Sequence, residues 1–192
     1  LEIKIFAFDI ETLGTTESSI ILSAAILYFD SNDPRSYQEM LDSCCFVKFS
    51  VNEQKDKYNR TVTKDTINWW HEQCDNVKKI SLFPSENDLT LAEGVNILKS
   101  YIKTNTQSKE DVVWTRGSLD QFCIDSVCKY SLKVDPIFYY GQYVDFRTAI
   151  QLLKSSARKG YCDIPNFDKN MVMKHDPRHD VCYDVFMLLH GT

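Results

Sequence analysis

A chain of 192 residues, 43% of them hydrophobic and 26% charged, has room for one domain with a full core, and residues 1–192 read as a single unit. No stretch approaches the length of a membrane span, and a formal charge of -5 gives no general pull toward nucleic acid, so a polyanion would have to be held locally. The seven cysteines are odd in number and lack a C-x-x-C pair, which implies reduced thiols and a cytoplasmic setting. No signal-peptide pattern opens the chain, although Leu1 in place of Met suggests a trimmed start.

In chain order, Ile3 and Ile5 to Phe8 form a β-branched and aromatic run that continues through Asp9-Ile10-Glu11-Thr12 into a turn at Leu13-Gly14. Residues two apart on a strand share a face, so Asp9 and Glu11 point the same way. Two adjacent carboxylates at the end of a core strand repel each other and are costly to desolvate. A divalent metal with hard oxygen ligands is the natural counter-charge. Ser19 to Phe29 reads as a second strand, 31–34 as a turn and Cys44 to Val51 as a third strand, which together imply an antiparallel meander.

From Thr63, the spacing of Ile67, Trp70 and Cys74 predicts a helix, and Leu89 to Ile102 predicts another. A polar connection over Thr104 to Glu110 leads to a short strand at Val112 to Trp114. Leu119 to Leu132 follows as a helix, Tyr139 to Val144 as a fifth strand and Phe146 to Leu153 as a helix. Ser155 to Met173 has no periodicity and reads as a long loop. The last helix is expected over Asp180 to Leu189. Strands first, then helices alternating with strands, indicate an α/β layer architecture. The order matches a ribonuclease-H-like mixed five-stranded sheet (β-β-β-α-β-α-β-α) flanked by helices.

Two further acidic positions stand out. Asp120 lies in the first turn of a helix after a strand and a glycine turn. His179 and Asp184 are five residues apart, about 140° on a helix, and converge only if His179 sits in the loop before it. Pro177 is read as breaking helical continuity there, which makes Asp180 the capping residue and puts His175 farther out on the loop. The same break removes the i, i+4 geometry that a zinc site on His175 and His179 with Cys162 and Cys182 would need. Of Trp69 and Trp70, at least one is expected in the core, and Asp145 with Arg147 is expected to fix a helix start.

The ordered set Asp9-x-Glu11-Thr12, Asp120, then His179 with Asp184 resembles the DEDDh exonucleases of the DnaQ-like superfamily. Within it, residues 63–70, 116–120, 145–148 and 175–180 are most similar to the phage exonuclease A (DexA) and RNase AS-like group. The resemblance implies a 3′→5′ exonuclease that removes 5′-mononucleotides from a single strand with a free 3′-OH. DNA is the first substrate it suggests and RNA the alternative. A non-catalytic adaptor on the same fold would be marked by a lost carboxylate, and none is lost. The resemblance further implies two Mg²⁺ or Mn²⁺ ions, about 3.5–4 Å apart, held by Asp9, Glu11, Asp120 and Asp184. His179 would be the general base, with Thr12 and Leu13 meeting the 3′-terminal nucleotide.

Overall fold

The structure, a computed structural model, describes residues 4–33, 35–105, 111–154 and 159–192. Ile3 of the first predicted strand, position 34 of the predicted turn, residues 106–110 of the polar connection and 155–158 of the long loop lie outside them. β1 (Lys4–Thr12), β2 (Ile21–Asp30) and β3 (Cys45–Lys48) pair antiparallel as a meander. The helix α1 (Tyr37–Ser43) intervenes between β2 and β3 and was not expected. Its signal is a capping box, in which Ser36 and Glu39 satisfy each other's backbone N–H groups. The third strand is also shorter than its apolar run. Ser50 caps a further helix, α2 (Val51–Tyr58), and draws Val51 out of the sheet.

The chain continues through α3 (Lys64–Glu72), then α4 (Asp75–Val77) with a π-helical turn at Lys78–Leu82, and α5 (Leu91–Asn105). β4 (Val112–Thr115) joins β1 in parallel, and β5 (Tyr143–Asp145) joins β4 in parallel, so the sheet order is β3-β2-β1-β4-β5. Between β4 and β5, α6 (Leu119–Ser126) runs on into a π-helical turn at Val127–Leu132. Lys133, in the left-handed region at φ 57°, stops it. After β5 come α7 (Phe146–Leu153) and α8 (Pro177–His190). The mixed five-stranded sheet flanked by helices is the one anticipated. No helix among the described residues is long and apolar enough to cross a membrane.

β1 separates two apolar layers. Phe6, Phe8 and Ile10 pack with Val95 and Leu98 of α5 and Ile124 of α6. Ile5 and Ala7 pack on the other face with Val181, Val185 and Leu188 of α8. By strand alternation Asp9 and Glu11 continue this second row, so both carboxylates face α8. The register shifts between Glu11 and Thr12, an irregularity that ends the regular pairing of β1 with β2 just past Glu11.

α8 begins three residues earlier than expected. Pro177 opens it at its first position, where a missing N–H costs nothing. Asp176, buried at 1% exposure, is the cap and accepts from the Arg178 N–H. Pro177 therefore starts the helix rather than breaking it. His179 lies inside the first turn, not in the preceding loop, and Asp180 is not the cap.

Candidate active site

A cleft of about 560 Å³ opens where β1, the start of α6 and the first turns of α8 converge. Asp9, Glu11, Asp120 and Asp184 all line it. Asp180 and His175 line it too, and His179 does not. Asp120 is brought in by the β4–α6 turn. Gly117 has φ +100°, and its N–H donates to Asp145 Oδ2 at 2.8 Å. Asp145 also caps α7 through the Thr148 N–H, as expected for a residue that fixes a helix start.

Two His–Asp pairs with the same spacing are placed very differently. His179 Nδ1 is 3.0 Å from the Tyr37 hydroxyl, which also donates to the His179 carbonyl oxygen. Asp176 and Arg178 are the charges it senses, not the cleft carboxylates. Asp184 receives the Arg116 guanidinium in a bidentate pair, with Nε at 2.9 Å from each oxygen and a second, shorter contact from Nη2. Asp180, one turn earlier on the same face, carries no such cation. Its Oδ2 accepts from the His175 N–H at 3.0 Å. The His175 Nδ1 stands 3.7 Å from Glu11 Oε1. Ligand atoms of Glu11, His175 and Asp180 all lie within 4.8 Å of one another.

His175 adopts φ 67°, a left-handed conformation that costs a non-glycine residue about 1–3 kcal/mol and concentrates at functional sites. Its ring meets the edge of Trp69 at a centroid distance of 4.6 Å. Trp70, fully buried, donates Nε1–H to the Thr12 carbonyl oxygen at 2.9 Å. One of the two tryptophans is thus core, and the other braces the cleft histidine.

Thr12 and Leu13 are not presented to the cleft as expected. Leu13 is buried beside Ile20, Leu22 and Trp70, with its N–H on the Ile20 oxygen and its carbonyl on the Thr63 N–H. The Thr12 hydroxyl donates to the Gly14 oxygen at 2.6 Å. Leu13 offers the cleft neither its side chain nor a free backbone group, because α3 packs onto this turn. The zinc set stays apart as well: Cys182 lies against Cys44 at 3.5 Å, and the Cys162 thiol donates to the Met187 oxygen.

The electrostatics identify what the cleft is suited to hold. Burial first, then Asp120, Asp180, Glu11 and Asp184 in turn, push the Asp9 carboxyl well above the usual range. Burial and then Asp176 do the same to Glu11. Burial is also the leading cause at Asp120, raised to about 8, and at Asp180, raised to about 7, where Glu11 adds repulsion. At Asp184 burial pushes the carboxyl up, and the Arg116 guanidinium pulls it only part of the way back. Asp9, Glu11, Asp120 and Asp180 therefore form a concentrated set of hard oxygen donors whose mutual repulsion a divalent cation would relieve. These residues fit Mg²⁺ or Mn²⁺.

Residues 4–185 match the family model described as the 3′-5′ exoribonuclease Rv2179c-like domain. The chain belongs to this family. The exonuclease domain is also 27% identical over 200 residues to the Exodeoxyribonuclease of Enterobacteria phage T4, a match that takes in 95% of the chain and 86% of the phage protein. Among solved structures it resembles cell-death related nuclease 4 (CRN-4), with a TM-score of 0.59 at 17% identity over 97% of the chain. It also resembles Exonuclease I of Methylocaldum szegediense, with a TM-score of 0.50 at 12% identity over 93% of the chain. The chain spans 62% and 38% of those two proteins, and at such identities the likeness is one of fold. Family and fold together make the chain a DnaQ-like 3′→5′ exonuclease.

The sequence did not lead us to place His175 and Asp180 in the cleft. Their signal was present: His175 and Asp180 have the same five-residue separation as His179 and Asp184, and Asp176-Pro177 is a helix-start dipeptide that puts Asp180 in the first turn.

Proposed function

We propose that the cleft removes 5′-mononucleotides from the 3′ end of a single-stranded nucleic acid, with His175 as general base and Asp9, Glu11, Asp120 and Asp180 as the metal-holding set. The observation that carries this reading is the convergence of Glu11, His175 and Asp180 within 4.8 Å at a cleft that Asp9 and Asp120 also line. Two divalent ions bound there would supply charge against the phosphate oxygens and lower the pKa of the attacking water.

The chain's own residues do the rest. Burial, ahead of Lys174, keeps the His175 imidazole below its ordinary pKa, although Asp180 opposes this, so the ring is neutral at neutral pH and able to accept a proton. The His175 N–H bond to Asp180 and the edge of Trp69 hold that ring in place. Asp184, neutralised by Arg116, becomes part of the cleft wall in this reading, and His179 a packing residue under α1. The complete carboxylate set favours turnover over an adaptor role.

DNA is the first substrate proposed, supported by the phage relative's name, and the family description favours RNA as the second reading. Digestion of matched 3′-hydroxyl DNA and RNA strands with Mg²⁺ or Mn²⁺, read on a gel, tests both. Loss of 3′-terminal mononucleotides that stops on chelation is expected. Internal cleavage, or activity indifferent to chelation, would sink the proposal.

A further inference from the structure

The cleft that gathers the carboxylates also carries cations that no ion pair among the described residues claims. Arg147 and Lys174 are exposed, line the same cleft as Asp9 and Asp120, and make no ion pair among the described residues. Two exposed cations on the rim of a carboxylate cluster, neither of them tied down by an ion pair, are able to turn toward a phosphate.

Tyr161, half exposed at 50%, lines the cleft with them. Its ring is backed by the Arg116 guanidinium at 4.1 Å from the centroid, a cation–π contact. Arg116 cannot wander, because Asp184 and the Gly160 carbonyl oxygen both hold it. The ring is therefore a supported platform rather than a loose side chain.

Gly160 explains why the platform sits at this rim. At φ +73°, a Cβ here would lie 2.4 Å from the Arg147 Cα, so only glycine lets this segment rest on the first turn of α7. Tyr161, the next residue, is thereby brought to the same rim as Arg147, and both also line a second depression with Gln151 and Lys159. That depression continues the cationic and aromatic surface outward from the cleft.

We propose that Tyr161, Arg147 and Lys174 form the subsite for the nucleotide on the 5′ side of the scissile bond. Tyr161 stacks the base, the two cations hold the phosphate, and the strand leaves past Lys159. Bases stack on aromatic rings with little regard to identity, and cations add phosphate affinity that weakens with salt. The subsite suits a single strand of any sequence and rests on the nuclease reading above.

The test compares two substrates in Mg²⁺. One is a single-stranded oligonucleotide; the other is the p-nitrophenyl ester of thymidine 5′-monophosphate, which offers a scissile bond but no neighbouring nucleotide. The ratio of kcat/KM for oligonucleotide over ester should fall about tenfold in Tyr161→Ala, chiefly through KM, and hold near wild type in Tyr161→Phe. The double variant of Arg147→Ala and Lys174→Ala should lower the same ratio and flatten its dependence on salt. Equal losses on both substrates, or no loss on either, would overturn the subsite. A wild-type protein that cleaves the ester but gains nothing from a longer strand overturns the subsite and leaves the nuclease reading standing. Cleavage of neither overturns both.

Discussion

Removing one cleft carboxylate should stabilise the metal-free protein while destroying its activity. Asp120 is the cleanest position, since it is 6% exposed, and Asn keeps an oxygen for the Ile10 N–H that Asp120 accepts. Its carboxyl rises to about 8 in the folded protein, mainly through burial, from an unfolded reference near 3.9. An acid whose folded pKa lies above its unfolded pKa binds more protons when folded, so stability falls as pH rises through the interval between them. At about pH 7 the unfolded chain has lost this proton and the folded one keeps it, a penalty of at most about 4 kcal/mol at 1.36 kcal/mol per unit. Local relaxation and water entry reduce that, so we expect Asp120→Asn to gain about 1–3 kcal/mol, or roughly 3–10 °C in Tm for a chain of this size.

The assay is thermal unfolding by circular dichroism in chelator, at about pH 5 and at about pH 8. Wild type should be less stable at the higher pH, and the variant should narrow that gap while Asp9, Glu11 and Asp180 keep part of it open. Added Mg²⁺ should raise the wild-type Tm and move the variant little, because the ion binds the folded carboxylates. A chelated variant that melts below wild type at about pH 8 would refute the reasoning, since Asp120 would then be contributing favourable contacts rather than unrelieved charge.

The remaining predictions concern neighbouring residues. His175→Ala should lower kcat by about 10²–10⁴, whereas His179→Ala should keep most activity and lose about 1 kcal/mol of stability with its Tyr37 bond; the reverse order in an Mg²⁺-dependent nuclease assay would restore His179 as the base. Asp180→Asn should abolish turnover and Mg²⁺-induced stabilisation, while Asp184→Asn should keep the Mg²⁺ shift in Tm, as calorimetric titration or thermal melts can show. Arg116→Ala leaves Asp184 buried without its cation and should cost about 3–5 kcal/mol in urea unfolding, more than the double variant that also carries Asp184→Asn. Gly160→Ala should destabilise by more than about 1 kcal/mol, because its Cβ meets the Arg147 backbone and the left-handed φ cannot relax; an unchanged urea midpoint would show that this segment shifts freely.

The amino-acid sequence by itself determined the sheet and the meeting of three carboxylates at one end of it. The apolar run of β1 fixes its depth, strand alternation puts Asp9 and Glu11 on one face, and the strand–glycine–helix pattern delivers Asp120 to the same end. Those are local rules, and the fold had only to obey them. The choice between His175 with Asp180 and His179 with Asp184 is not local. The two pairs have one spacing and differ by four residues, about one helical turn, so periodicity carries both equally well. What separates them is what each meets across the chain: Tyr37 from α1 takes His179, Arg116 from the end of β4 takes Asp184, and Trp69 from α3 braces His175 beside Glu11. The same holds for Leu13, exposed by its place in a turn and buried by the packing of α3. Sequence spacing sets which residues share a face, and only tertiary contacts decide which of the equivalent candidates remains free for chemistry.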